Sequence, residues 1–138
     1  MQINYALDEG AFDPIHNYEE DAGTDLRCME GFTVPALGSV AIDTGTHVDI
    51  PAGYGGLLVS KSGLNVRFEM TSTGLIDAGY DGSIVVRLYN MSDTEYEFEA
   101  GDKVSQIVII PVATPQWVRV DKIVGGERGS KGYGSTGR

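Results

Sequence analysis

Residues 74–90, GLIDAGYDGSIVVRLYN, hold two short aliphatic runs around a glycine-containing break. Leu75 and Ile76 anchor the first run, and residues 84–88 form the second. Asp81-Gly82 between them is a favoured pair for tight turns. The stretch reads as two strands joined in a hairpin. The same pattern continues outward in both directions. Apolar segments of a few residues recur at 3–7, 22–29, 40–42, 47–50, 56–59, 96–98, 104–112 and 118–123, each bounded by Gly, Pro, Asn or Asp. Helical periodicity is confined to 62–68, where a Ser-Gly start precedes Leu64 and Phe68 at i and i+4. Short, regularly interrupted, Val- and Ile-rich segments predict an all-β sandwich or barrel with one short helix.

The chain has 138 residues, 41% of them hydrophobic, which is enough for a single domain with its own core. It carries 10 Lys plus Arg against 20 Asp plus Glu, a net charge of −10. That balance argues against broad binding to nucleic acid or anionic membrane, which needs a basic face, while leaving room for a local basic site. A lone cysteine, Cys28, excludes an internal disulfide and a Cys-based metal cluster. The first ten residues read as no signal peptide, since Asp8 and Glu9 interrupt them. The longest apolar run, 107–113, is far too short to span a bilayer. An intracellular, cytoplasmic protein is expected.

Two parts are expected, a β domain over 1–124 and a flexible arm over 125–138. Six of the arm's fourteen residues are Gly and none is aliphatic, so it has nothing with which to order itself. It nevertheless holds Arg128, Lys131, Tyr133, Ser135, Thr136 and Arg138, groups that grip phosphates or stack on rings. Ser60-Lys61-Ser62-Gly63-Leu64 sets a cation and hydroxyls beside a glycine, a small phosphate-cradling set and equally a plain turn. Asp77 follows two aliphatics in a strand, where Asp is disfavoured, so it is satisfied by neighbouring backbone or kept for chemistry. Asp25, in AGTDL at 22–26, has the same character. His16 and His47 stand without metal-ligand partners and read as surface or strand residues. Asp102 reads as a turn residue after Gly101, and Gln106 as an edge-strand amide.

Taken in order, AGTDL (22–26), SKSGL (60–64), GLIDAGYDG (74–82), GDKVSQIV (101–108) and RGSKGYGSTG (128–137) resemble the five motifs of the trimeric dUTPases. The likeness runs nearly the whole length of the chain. It implies a distorted jelly-roll-like fold and a homotrimer whose shared active sites are closed by the C-terminal arm. The implied reaction is Mg²⁺-assisted hydrolysis of dUTP to dUMP and pyrophosphate, which keeps uracil out of DNA and supplies dUMP for dTMP synthesis. By resemblance Asp77 is the general base, and Asp25 reaches Mg²⁺ through waters. Tyr80 lies against the deoxyribose, and the backbone around Leu75 and Ile76 reads uracil. Thr71 occupies a region where some members offer the base an amide. Lys61, Ser62, Gly63, Gln106, Arg128, Gly134, Ser135 and Thr136 bind substrate, with Tyr133 stacked over the base.

Three positions depart from the family pattern. Lys61 stands where Arg is usual, Tyr133 where Phe is usual, and Lys131 replaces a small residue. An ammonium cannot fork two hydrogen bonds as a guanidinium does. Two other readings stay open: a deaminase of the dCTP type, using a Glu on the base, and a nucleotide-sensing interaction protein that binds without turnover.

Overall fold

The structure, a computed structural model, describes residues 1–137; Arg138, one of the arm's cations, lies outside them. Eleven strands and one helix follow in order: β1 (Asn4–Leu7), β2 (Thr24–Arg27), β3 (Phe32–Val34), β4 (Ser39–Asp43), β5 (Thr46–Asp49), β6 (Tyr54–Val59), α1 (Ser62–Phe68), β7 (Met70–Thr71), β8 (Thr73–Asp77), β9 (Val85–Asn90), β10 (Tyr96–Phe98) and β11 (Lys103–Pro111). A four-stranded sheet runs β2-β11-β6-β8 and a three-stranded one β4-β9-β7, with β1-β5 and β3-β10 as separate pairs. Every pairing is antiparallel. The result is the all-β, jelly-roll-like architecture the sequence predicts, and α1 occupies the expected residues.

The core lies between the sheets. β9 shows the principle: Val86, Leu88 and Asn90 point inward while Val85, Arg87 and Tyr89 point out, the two-residue alternation of a strand with one wet face. Val86 and Leu88 share one core cluster with Leu26, Val34, Met70 and Val104, all essentially inaccessible to solvent. Phe32 of β3 stacks on Phe98 of β10 with ring centres 4.7 Å apart. The helix buries only Leu64, and Phe68 instead rests edge-on against Tyr96. Glu69 ends the helix in the left-handed conformation, its N–H returning to the Leu64 carbonyl.

The hairpin expected at 74–90 does not form. β8 pairs with β6, whereas β9 pairs with β4 and β7 in the other sheet. The connection is pinned instead to the β4–β5 turn: Thr44 donates its N–H and its hydroxyl to the Ile84 carbonyl, and Ile84 N–H returns to Thr46. Ile84 is itself 1% exposed, so burying it there decides the path. The β4–β5 turn likewise passes between sheets, at Gly45 with φ +63°. A Cβ at Gly45 would lie 2.6 Å from the Met29 sulfur. Gln106 is another correction, since β11 is a central strand rather than an edge.

The strand expected at 118–123 is absent as well. The ladder ends at Pro111, and the Val112 N–H reaches Gly53. Beyond it the chain runs exposed, with Trp117, Val118, Val120, Ile123 and Val124 in solvent. A β pattern needs a partner edge, and among the described residues no strand takes it up. Among the described residues no helix is long and apolar enough to cross a membrane.

Candidate active site

The strand register places the site residues with little ambiguity. Asp25 of β2 lies opposite Gln106 of β11, Gln106 opposite Val59 of β6, and Val59 opposite Thr73 of β8. These four form one row across the sheet and share its face. Asp77 is on the same face, four residues further along β8, opposite Gly55. With about 3.3 Å per residue and about 4.8 Å between strands, Asp25 and Asp77 sit on the order of 20 Å apart. The two acids therefore lie at opposite corners of one sheet.

The first corner is built around Asp25, 3% exposed. Its Oδ1 accepts from Lys61 Nζ at 2.7 Å, and its Oδ2 pairs with Lys103 Nζ at 2.9 Å. Asn17 Nδ2 also donates to Oδ2, at 3.0 Å, and Asn17 Oδ1 receives Lys103 at 3.0 Å. Burial alone pushes the Asp25 carboxyl up. The Lys61, Lys103 and Asn17 hydrogen bonds outweigh it and hold the group below its ordinary value. Beside it Gln106 donates to the Ser60 carbonyl at 2.9 Å, and the Ser60 and Thr71 hydroxyls bond at 2.8 Å. Gly23 leaves room for the Gln106 amide, which a Cβ there would displace. Ser62 and Gly63 are exposed at the start of α1, with open space where a Gly63 side chain would be. A groove of about 470 Å³ lined in part by Arg27, Lys61, Gly63 and Lys103 runs along this corner. Arg27, Lys61 and Lys103 stand here against Asp25 and Asp102, a local excess of positive charge on a chain of net charge −10.

The second corner is open and nearly free of internal bonds. Asp77 is exposed, and its carboxylate has no hydrogen-bond partner among the described residues. Satisfaction by neighbouring backbone is thereby excluded. Leu75 is 58% exposed, while Ile76 turns toward the core. Tyr80 folds back over Gly82, its hydroxyl donating to the Ser83 carbonyl at 3.0 Å. A Cβ at Gly82 would strike that ring.

The arm stands apart from both corners. Its hydrogen bonds among the described residues are local, as in Arg128 Nε to the Lys131 carbonyl at 3.0 Å and Arg128 Nη2 to Ser135 Oγ at 3.4 Å. Tyr133 is fully exposed, as are Gly134 and Thr136. The structure thus gathers Asp25, Lys61, Thr71 and Gln106 at one corner with Ser62 and Gly63 beside them. It does not bring Leu75, Ile76, Asp77 and Tyr80, or the arm, to that corner. Sequence reading missed Asn17 and Lys103. No local pattern marks Asn17, while Lys103, next to Asp102 in the fourth motif, was open to inspection.

The fold defines the class: a small jelly-roll-like β protein. The sequence profile of the dUTPase family matches residues 11–137, and the chain belongs to that family. The deoxyuridine 5'-triphosphate nucleotidohydrolase of Picosynechococcus sp. is 37% identical over 134 residues, covering 95% of this chain and 94% of that protein. The one from Paramecium bursaria Chlorella virus 1 is 33% identical over 132 residues, with the same coverage. Among solved structures, the Staphylococcus bacteriophage 80alpha dUTPase with dUPNHPP matches at a TM-score of 0.90 and 30% identity over 99% of each chain. A mutant dUTPase of S. aureus phage phi11, described for its coordination of a structural Mg(II) ion, matches at 0.79 and 30% identity over 88% of this chain and 98% of its own.

Proposed function

We propose that this chain hydrolyses dUTP to dUMP and pyrophosphate in sites assembled between copies of itself, with Asp77 as general base. Family membership carries the reaction class, dUTP diphosphatase. The observation that carries the mechanism is the contrast between two acids. Asp25 is engaged by two lysines and Asn17, whereas Asp77 is exposed and without a side-chain partner among the described residues.

In this reading water attacks the α-phosphorus, its proton passes to Asp77, and the bond from that phosphorus to the bridging oxygen breaks, releasing pyrophosphate. General-base assistance contributes about 10²–10⁴-fold. The triphosphate lies on the basic corner of a neighbouring copy, against Lys61, Ser62, Gly63 and Gln106. Arg128, Ser135 and Thr136 of an arm, with Gly134 as its bend, close over the phosphates, and Tyr133 covers the uracil. Backbone of Leu75 and Ile76 reads the base edge, Thr71 stands near it, and the Tyr80 ring leaves no room for a 2′-hydroxyl. The separation of the corners supports a site shared between chains, and the exposed Trp117, Val118, Val120, Ile123 and Val124 offer apolar surface for assembly. A homotrimer is the assembly proposed, with the β domain at 1–124, the arm at 125–138 and a cytoplasmic setting.

Among the described residues no cluster of three or more His, Cys, Asp or Glu could cage an ion, and Asp25 has both oxygens engaged. That donor set fits a Mg²⁺ that arrives on the phosphates and keeps its waters, with Asp25 touching those waters. When bound, the ion neutralises charge building on the phosphate oxygens.

The test is pyrophosphate release with Mg²⁺ from dUTP, UTP, dTTP and dCTP, with ammonia followed in parallel. Release confined to dUTP is expected. Ammonia from dCTP moves the chain to deaminase chemistry, and dUTP binding without turnover makes it a sensing protein.

A further inference from the structure

The connection between β8 and β9 is exposed over residues 78–81, yet it is fixed to the β4–β5 region at three points. Ser83 donates its hydroxyl to Asp43, and Ile84 exchanges backbone bonds with Thr44 and Thr46. The third point is His47, on β5, whose Nδ1 lies 2.8 Å from the Asp81 carbonyl and whose Nε2 lies 3.0 Å from Asp8 Oδ1. His47 thus joins the residue immediately after Tyr80 to the chain just beyond β1. Its side chain is 30% exposed and shares a groove of about 340 Å³ with Tyr80 and Gly79.

We propose that His47 is a positioning residue for sugar selection: by holding the Asp81 carbonyl it fixes the Tyr80 turn, and it holds that turn best as the imidazolium. The proposal rests on Tyr80 facing the sugar of a bound nucleotide, as in the function proposed above. Both partners of the ring are acceptors only. The imidazolium donates to both, but a neutral ring has one donor; given to the Asp8 carboxylate, the stronger acceptor, it leaves the Asp81 carbonyl facing a lone pair. The titratable groups around the ring are Asp8, Asp43, Asp49 and Asp81 with the phenols of Tyr5 and Tyr80; none is a cation. The Asp81 carbonyl bond, then the Asp8 hydrogen bond, raise the His47 pKa above its ordinary value. The clamp is therefore complete below that raised pKa and loosens as pH climbs through it.

Two variants separate the two nitrogens, since an Asn amide nitrogen falls near Nδ1 and a Gln amide nitrogen near Nε2. The readout is kcat/KM for UTP relative to dUTP, with Mg²⁺, between pH 6 and 8.5. The wild-type ratio is expected to rise with pH. His47→Gln, which drops the Asp81 contact, should raise the ratio about tenfold at low pH, the scale of one hydrogen bond to a charged group, and remove its pH dependence. His47→Asn should stay within about twofold of the low-pH wild type and also lose the slope. Amide exchange at 79–84 should quicken in His47→Gln and not in His47→Asn. A ratio unchanged by His47→Gln, or equal losses on both nucleotides with a lowered Tm, overturns the proposal. Should the wild type turn over neither nucleotide, the proposed function itself fails. Exchange at 79–84 then judges the clamp alone, and equal rates in both variants overturn it.

Discussion

Asp25 and Asp77 are acids on the same face of the same sheet, and their surroundings are opposite. Asp25 is buried under two lysines and an asparagine. Asp77 is exposed with no side-chain partner among the described residues. An acid whose lone pairs are filled organises its neighbours, and one whose lone pairs are empty can accept a proton. The same residue type is thus held by its neighbours at one corner and stands open to solvent at the other.

The sharpest way to break that contrast is Asp77→Asn. Turnover of dUTP should fall by about 10²–10⁴-fold with the thermal melt unchanged; near-normal pyrophosphate release would take Asp77 out of the mechanism. Asp25→Ala should do the converse and strike stability first. It leaves Lys61 and Lys103 facing each other without their counter-ion, a loss of about 3 kcal/mol in urea unfolding. The pH dependence follows from the same cluster. Because the Asp25 pKa is lowered in the folded protein, its contribution is complete above the unfolded carboxylate value. It is lost as pH falls through the folded value, below the ordinary carboxylate range. Asp25→Asn should flatten that acid limb of the stability curve.

Removing 126–138 should lower kcat sharply while leaving Tm and sedimentation unchanged, because the arm makes no hydrogen bond to the domain among the described residues. Dissociation on truncation would make the arm an assembly element instead. Tyr80→Ala should have the mildest effect on dUTP itself and show mainly as a higher rate on UTP relative to dUTP. An unchanged ratio would place sugar selection elsewhere.

Local order was the legible part. Leu64 and Phe68 four apart marked the helix, and the long apolar run after Lys103 marked β11. Asp77 could be singled out because it sat where a strand disfavours an acid. What escaped was whatever depends on distant partners. The 74–90 hairpin failed because Ile84 finds its backbone bonds at Thr44 and Thr46, about forty positions away. Residues 118–123 carry a strand's pattern, and among the described residues no strand pairs with them. Asp25 could be flagged, but its lysines come from 36 and 78 positions further on, at Lys61 and Lys103. His47 looked isolated because Asp8 and Asp81 reach it only through the fold.

The distance between the two corners has a genetic consequence. If a working site takes its base from one chain and its phosphate grip from another, lesions in the two halves are not equivalent to lesions in one. A chain inactivated at Asp77 and a chain inactivated at Lys61 or in the arm each bring the intact half that the other lacks. Mixed assemblies of the two dead proteins recover activity in a fixed fraction of their sites. Two copies of the same lesion recover none.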